Sequence, residues 1–111
     1  ELTIDALKDY FVKTIVSKNK MDQVVQIVCE HYNLTLEELL SKKRSNDIAI
    51  PRMIAMYICR VYLDENLTKI GIQFGGKNHT TVMHAVDKIK KEIIKDDHLN
   101  GEIQKMVNEI R

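Results

Sequence analysis

The stretch Gly71–Lys91, GIQFGGKNHTTVMHAVDKIKK, decides how this chain is read. It opens with Gly71, four residues, Gly76 and Lys77, one residue short of the phosphate-loop signature G-x-x-x-x-G-K-[ST]. A phosphate loop needs a strand that feeds a tight glycine turn, whose amides and lysine wrap the phosphates, and then a hydroxyl for magnesium. Here Asn78 takes the hydroxyl's place, and the preceding LDENLTKI reads as capped helix. A metal pair is the second reading, resting on His79 and His84. Ligands on one helix face sit three or four apart, and a spacing of five turns these two away from each other. His31 and His98 have no partner pattern, and all four histidines read as surface or capping residues. The third reading takes the glycines as a turn between two short helices, Asn66 to Phe74 and Asn78 onward. In a helix-turn-helix the first residues of the second helix reach base edges in the DNA major groove. Asn78, His79, Thr80 and Thr81 supply an amide, an imidazole and two hydroxyls, with methyls that suit thymine. Thr80, Thr81, His84 and Lys88 share an outward face, while Val82, Ala85, Val86, Ile89 and Ile93 form the inward one. A solvated bundle whose turn happens to contain two glycines stays open as the alternative. The side chains after the turn favour DNA.

Outward from this stretch the chain reads as helix almost throughout. Leu7, Phe11 and Ile15 make a rough stripe from Leu2 to about Lys18, broken by SKNK. Met21, Val24, Val25, Val28 and Tyr32 follow at the spacing of one buried helical face, and Asn33 suits its left-handed end. Thr35 and Glu38 form a capping box, flanked by Leu34 and Leu39 in the staple positions. KKRSNDIAIPR then reads as a basic polar loop closed by Pro51, a residue tolerated in a helix's first turn. The long helix beyond it is expected to bury Ile54, Tyr57 or Ile58, and Val61. Asn66 and Asn78 stand where caps belong. Asp96 and Asp97 interrupt before a last helix through Leu99, Ile103, Met106, Val107 and Ile110. No segment alternates with a strand's period and no internal repeat is present, so the expected class is all-α.

The 111 residues suffice for one modest core, and 44% hydrophobic with 30% charged residues is ordinary for a globular domain. No apolar run is long enough to span a bilayer and no signal-peptide pattern opens the chain. Cys29 and Cys59 stand singly in helical patterns, which favours free thiols in a cytoplasmic setting over a disulfide. The first residue is Glu, so a fragment of a longer protein is expected. The net charge of +1 conceals an asymmetry. Between Lys42 and Lys91 ten basic residues face four acids, a local +6, and the flanks together carry −5. A positive middle that coincides with the helix-turn-helix points to a polyanion.

FGGKNHTTVMHA, preceded by SKKRS and IPRMIAMY, closely resembles the C-terminal DNA-binding domain of DnaA, the bacterial chromosomal replication initiator family. Phe74, Gly75, Gly76, His79 to Val82, His84 and Ala85 match the family's hallmark, and the likeness runs from about Met21 to the C-terminus. The resemblance implies a compact bundle with a Trp-repressor-like helix-turn-helix and a basic loop, over residues 21–111. Residues 1–20 would be the connector helix from a missing ATPase domain; any ATP would bind there, and no cofactor or catalysis is expected here. It implies binding to short asymmetric double-stranded boxes at replication origins. Arg44 matches the arginine that enters the minor groove, and Asn78, His79, Thr80 and Thr81 match the major-groove readers. Arg52, Arg60, Leu67 and Thr68 fall where the family contacts phosphates. The basic residues Lys42, Lys43, Lys69, Lys77 and Lys88 extend that set. The connector's lysines leave acidic membrane lipids as a secondary partner, and the fragment is expected to be monomeric.

Several positions depart from the family. Asn78 replaces the usual Asp. A carboxylate only accepts and suits the amino group of cytosine, whereas an amide both accepts and donates. The contact can persist through the amide oxygen, while the base selected there stays open. Lys77 replaces Arg and loses the planar fork. Asn46 and Ile50 replace frequent basic residues, and Thr68-Lys69 replaces a frequent Pro-Glu pair. Two other readings remain, a repressor-type module that dimerises on a palindrome and a protein-interaction bundle, and the charge excess argues against the second.

Overall fold

A computed structural model describes residues 20–110 of the chain, so the helix expected over residues 2–18 lies outside the described residues. Six helices are present among them: α1 (Lys20–Tyr32), α2 (Leu36–Leu40), α3 (Asn46–Val61), α4 (Leu67–Gln73), α5 (His79–Lys95) and α6 (Asp97–Asn108). No strand occurs among the described residues, and the all-α reading holds. α3 is the central element and packs on each of the other five. Its Ile54, Met56 and Ile58 are fully buried with Val24 and Val28 of α1, Ile70 of α4, Val82 and Ile89 of α5, and Ile103 and Met106 of α6. Each such side chain contributes about 1.5–3 kcal/mol, far more than helix propensity, so this shared core sets the arrangement.

The helix ends follow from side chains that serve amides left without partners. Thr35 Oγ1 accepts the Glu38 N–H at 3.1 Å, and Glu38 Oε1 accepts the Thr35 N–H at 3.0 Å, closing the capping box. Asn66 accepts the Lys69 N–H at 2.7 Å, and Asp96 accepts the Leu99 N–H at 3.1 Å. Asn33 takes the left-handed conformation with φ 58°, as expected for the end of α1.

α3 differs from the sequence expectation at both ends. It starts at Asn46, with Ser45 as N-cap, and Pro51 lies inside it. The hydrogen bond that Pro51 forgoes would have gone to the carbonyl of Asp47, an exposed residue in the first turn where water can serve it. The gain is Ile48, which a loop would have left outside and which is buried. At the other end Val61 is 42% exposed, because the last two residues of α3, Arg60 and Val61, lie beyond the core.

Candidate nucleic-acid interface

α4 and α5 form the helix-turn-helix, and three glycines fix the turn in different ways. Gly75 and Gly76 have φ of +85° and +81°, a tandem left-handed step that side chains resist. Phe74 precedes them, fully buried, and pins the turn to the core. Gly71 lies inside α4, where its oxygen accepts the N–H of Gly76 at 3.0 Å and of Lys77 at 2.8 Å. A Cβ on Gly71 would sit 2.1 Å from the Lys77 carbonyl oxygen. The first glycine of the apparent phosphate loop is therefore a packing glycine, present so that the returning chain can lie against the α4 backbone.

The turn delivers Asn78 as N-cap of α5, its side-chain oxygen accepting the Thr80 N–H at 2.8 Å. His79, Thr80 and Thr81 are exposed in the first turn of α5, and His84 and Lys88 continue their face. The outward placement of the threonines, on which the DNA reading depends, is met.

Opposite them runs the basic segment 42–45, without regular structure. Between it and α5 lies a groove of about 670 Å³ whose walls carry Lys42, Arg44, Arg52, Lys77 and Lys88. Five cationic side chains line it, and among the described residues no carboxylate does. Asn78, Thr81 and His84 complete the α5 wall. Of the other sequence candidates, Lys43, His79 and Thr80 are exposed beside this groove's lining without belonging to it. Arg60, Leu67, Thr68 and Lys69 form a separate group around the end of α3 and the start of α4, where Arg60 Nη1 donates to the Glu65 carbonyl at 3.0 Å.

Two cations in the groove also hold it together. Arg52 is buried, its Nε donating to the Leu39 carbonyl at 2.7 Å and its Nη1 to the Lys43 carbonyl at 2.9 Å. Its Nη2 is buried without a partner among the described residues. Lys77 Nζ reaches the carbonyls of Leu40 and Ser41, both at 3.4 Å. Burial holds the Lys77 ammonium below the usual lysine range, and the positive charges of Arg52 and Lys42 lower it further. Burial likewise lowers the Arg52 guanidinium. Arg52, expected from sequence as a phosphate contact, lines the groove and also ties α3 to the end of α2 and to the basic segment. His84 and Asn46 line the groove although neither was counted as a site residue. For His84 the signal was there, because its spacing from Thr80, Thr81 and Lys88 puts it on their face.

Among the described residues no helix is long and apolar enough to cross a membrane, and no group of three His, Cys, Asp or Glu side chains converges. A family model described as the bacterial dnaA protein helix-turn-helix matches residues 21–89. Among solved structures, a crystal structure described as that of a DNA replication initiation factor is 29% identical, with a TM-score of 0.75. That likeness covers 99% of this chain and 35% of the other, so this chain spans little more than a third of that protein's length.

Proposed function

Because the chain belongs to the bacterial DnaA helix-turn-helix family, as the match over residues 21–89 establishes, we propose that it binds short, asymmetric double-stranded boxes at a replication origin. The observation that carries this reading is the groove between segment 42–45 and α5, with five cations, no carboxylate among the described residues, and Asn78 and Thr81 from the start of α5 on one wall. A duplex laid there meets two readers at once. Arg44, on the basic segment, enters the minor groove, where narrow A/T-rich stretches attract arginine. Asn78, His79, Thr80 and Thr81 enter the adjacent major groove. Lys42, Lys43, Lys77 and Lys88 neutralise phosphates on the near side, and Arg60, Leu67, Thr68 and Lys69 do so on the far side. Arg52 supports the segment from beneath. That residues 1–20 join this domain to an ATPase domain, and touch acidic lipids, rests on the family resemblance alone. Limited proteolysis of the longer polypeptide, releasing a fragment that starts near Met21, tests the first of these.

Two substitutions test the DNA reading. Thr80→Ala is expected to weaken binding to the selected box by roughly 1–3 kcal/mol and to leave random duplex almost unaffected. Lys43→Ala is expected to weaken both duplexes alike and to flatten the salt dependence by about one unit of slope. Equal losses of the Thr80 variant on box and random duplex would remove base reading from this helix.

A further inference from the structure

The amide oxygen of Asn78, through which a contact with cytosine could persist, is turned toward its own helix. It accepts the Thr80 N–H at 2.8 Å. A backbone N–H can be served only by an acceptor, so the oxygen must face the helix and the NH₂ must face away. Asn78 is exposed and lines the groove beside Lys77 and Thr81, and its Nδ2 has no partner among the described residues. The outward chemistry of this side chain is that of a donor with two hydrogens. A carboxylate in the same place would keep the cap with one oxygen and present a second acceptor. Exchanging Asp for Asn at an N-cap thus preserves the helix and inverts the sign of what it shows the DNA.

We propose that Asn78 is the specificity-determining residue for one base pair, and that it selects a near-strand base presenting an acceptor and rejects cytosine there. Guanine, with O6 and N7, offers the best acceptor edge, while cytosine presents only its amino donor in the major groove. Two donors facing one another leave both without a partner after desolvation. The surroundings point the same way, because the cations that line this groove and the amino-terminal amides of α5 favour electron-rich base edges.

This inference rests on the DNA-reading proposal, and one experiment separates their failures. Binding sites are selected from a random duplex pool with the unaltered chain and with Asn78→Asp, which retains a capping oxygen and folds as the parent does. Both proteins are expected to enrich the same box except at one position, where the parent takes an acceptor-bearing base and the variant takes cytosine. The preference, read by titrating the four single-base variants of the box, is expected to be roughly tenfold or more in each direction. If both proteins enrich cytosine at every position that contacts the start of α5, the inference falls while the box reading stands. If neither enriches any box, both fall. Identical preferences in the two proteins overturn the role of Asn78 whatever the base.

Discussion

Alanine at Gly71 and at Gly101 is the same chemical change in two helices, and the structure assigns it opposite signs. At Gly101, inside α6, an added Cβ meets nothing within 4 Å. Relief of glycine's backbone entropy there stabilises by about 0.5–1 kcal/mol. At Gly71 the same Cβ lands 2.1 Å from the Lys77 oxygen and 3.2 Å from its carbonyl carbon. Carbon and carbonyl oxygen normally stop near ~3.3 Å, so the peptide must retreat by about 1 Å. It is not free to do so, because Gly71 O holds the N–H groups of Gly76 and Lys77 at 3.0 and 2.8 Å. Overpacking against fixed backbone costs about 1–3 kcal/mol, and losing those two bonds adds roughly 1 kcal/mol each. The helix-propensity gain of about 1 kcal/mol offsets only part. Gly71→Ala should therefore lie about 2–4 kcal/mol below the parent, and Gly101→Ala slightly above it. Thermal unfolding followed by circular dichroism reads both, with about 4–8 °C per kcal/mol in a domain of this size. Box affinity measured well below the melting point should also fall for Gly71→Ala, since Asn78 follows the displaced peptide directly. A Gly71→Ala protein that melts with or above the parent would refute the close approach of α4 and the turn.

Arg52→Met should lose about 2–4 kcal/mol in urea unfolding, because the Leu39 and Lys43 carbonyls each lose a charged donor. Arg52→Lys should recover less than half of it, a single ammonium being unable to span both; full recovery would show that charge alone matters there. Thr35→Ala should cost about 1 kcal/mol and Ser45→Ala close to nothing, because the Thr35 side chain caps α2 whereas Ser45 makes no side-chain cap bond to α3. Equal losses in the same unfolding assay would contradict the cap assignment. Burial, aided by Glu65, pushes the Cys59 thiol from 9.0 up to about 12. From pH 9 upward the unfolded chain gives up this proton while the folded chain keeps it, so stability present below pH 9 should decline by about 1.4 kcal/mol per unit until pH 12. Cys59→Ala should show a shallower alkaline decline, and parallel pH profiles would exclude the thiol as its source.

What the sequence discloses here are features with a local cause. The caps at Thr35, Asn66 and Asn78 and the left-handed Asn33 follow from short polar side chains placed beside apolar stripes. The inward face of α5 follows from helical period. The start of α3 was misjudged because Pro51 is a strong local signal and Ile48 a weak one, and only the tertiary core makes Ile48 decisive. The burial of Arg52 depended on that error. With α3 beginning at Asn46, Ile48, Arg52 and Met56 fall on one stripe at intervals of four, and a buried arginine becomes legible. The role of Gly71 was out of reach, since nothing local says that Lys77 folds back onto it. The orientation of the Asn78 amide was half visible, because the residue reads as both cap and base reader, and capping through the oxygen is what turns the NH₂ outward.

The carbonyls at the end of α2 explain why two readers on separate segments can act as one surface. A helix leaves its last carbonyls without intrahelical partners, and here they are served by cations from elsewhere. Leu39 O takes Arg52 of α3, while Leu40 O and Ser41 O take Lys77 of the turn. Arg52 also grips the carbonyl of Lys43, the residue before Arg44. Lys77, for its part, is the residue before Asn78. Each proposed reader thus hangs one residue from a tether, and both tethers end on three consecutive carbonyls. The separation between the proposed minor-groove and major-groove readers is then set by backbone geometry, although segment 42–45 has no regular structure of its own. Burial first, and then the charges of Arg52 and Lys42, disfavour the Lys77 ammonium, and among the described residues no carboxylate lines the groove to relieve it. The groove therefore holds its positive charges close at some cost, and under the proposed function a phosphate entering it supplies the counter-charge that the described residues around it lack.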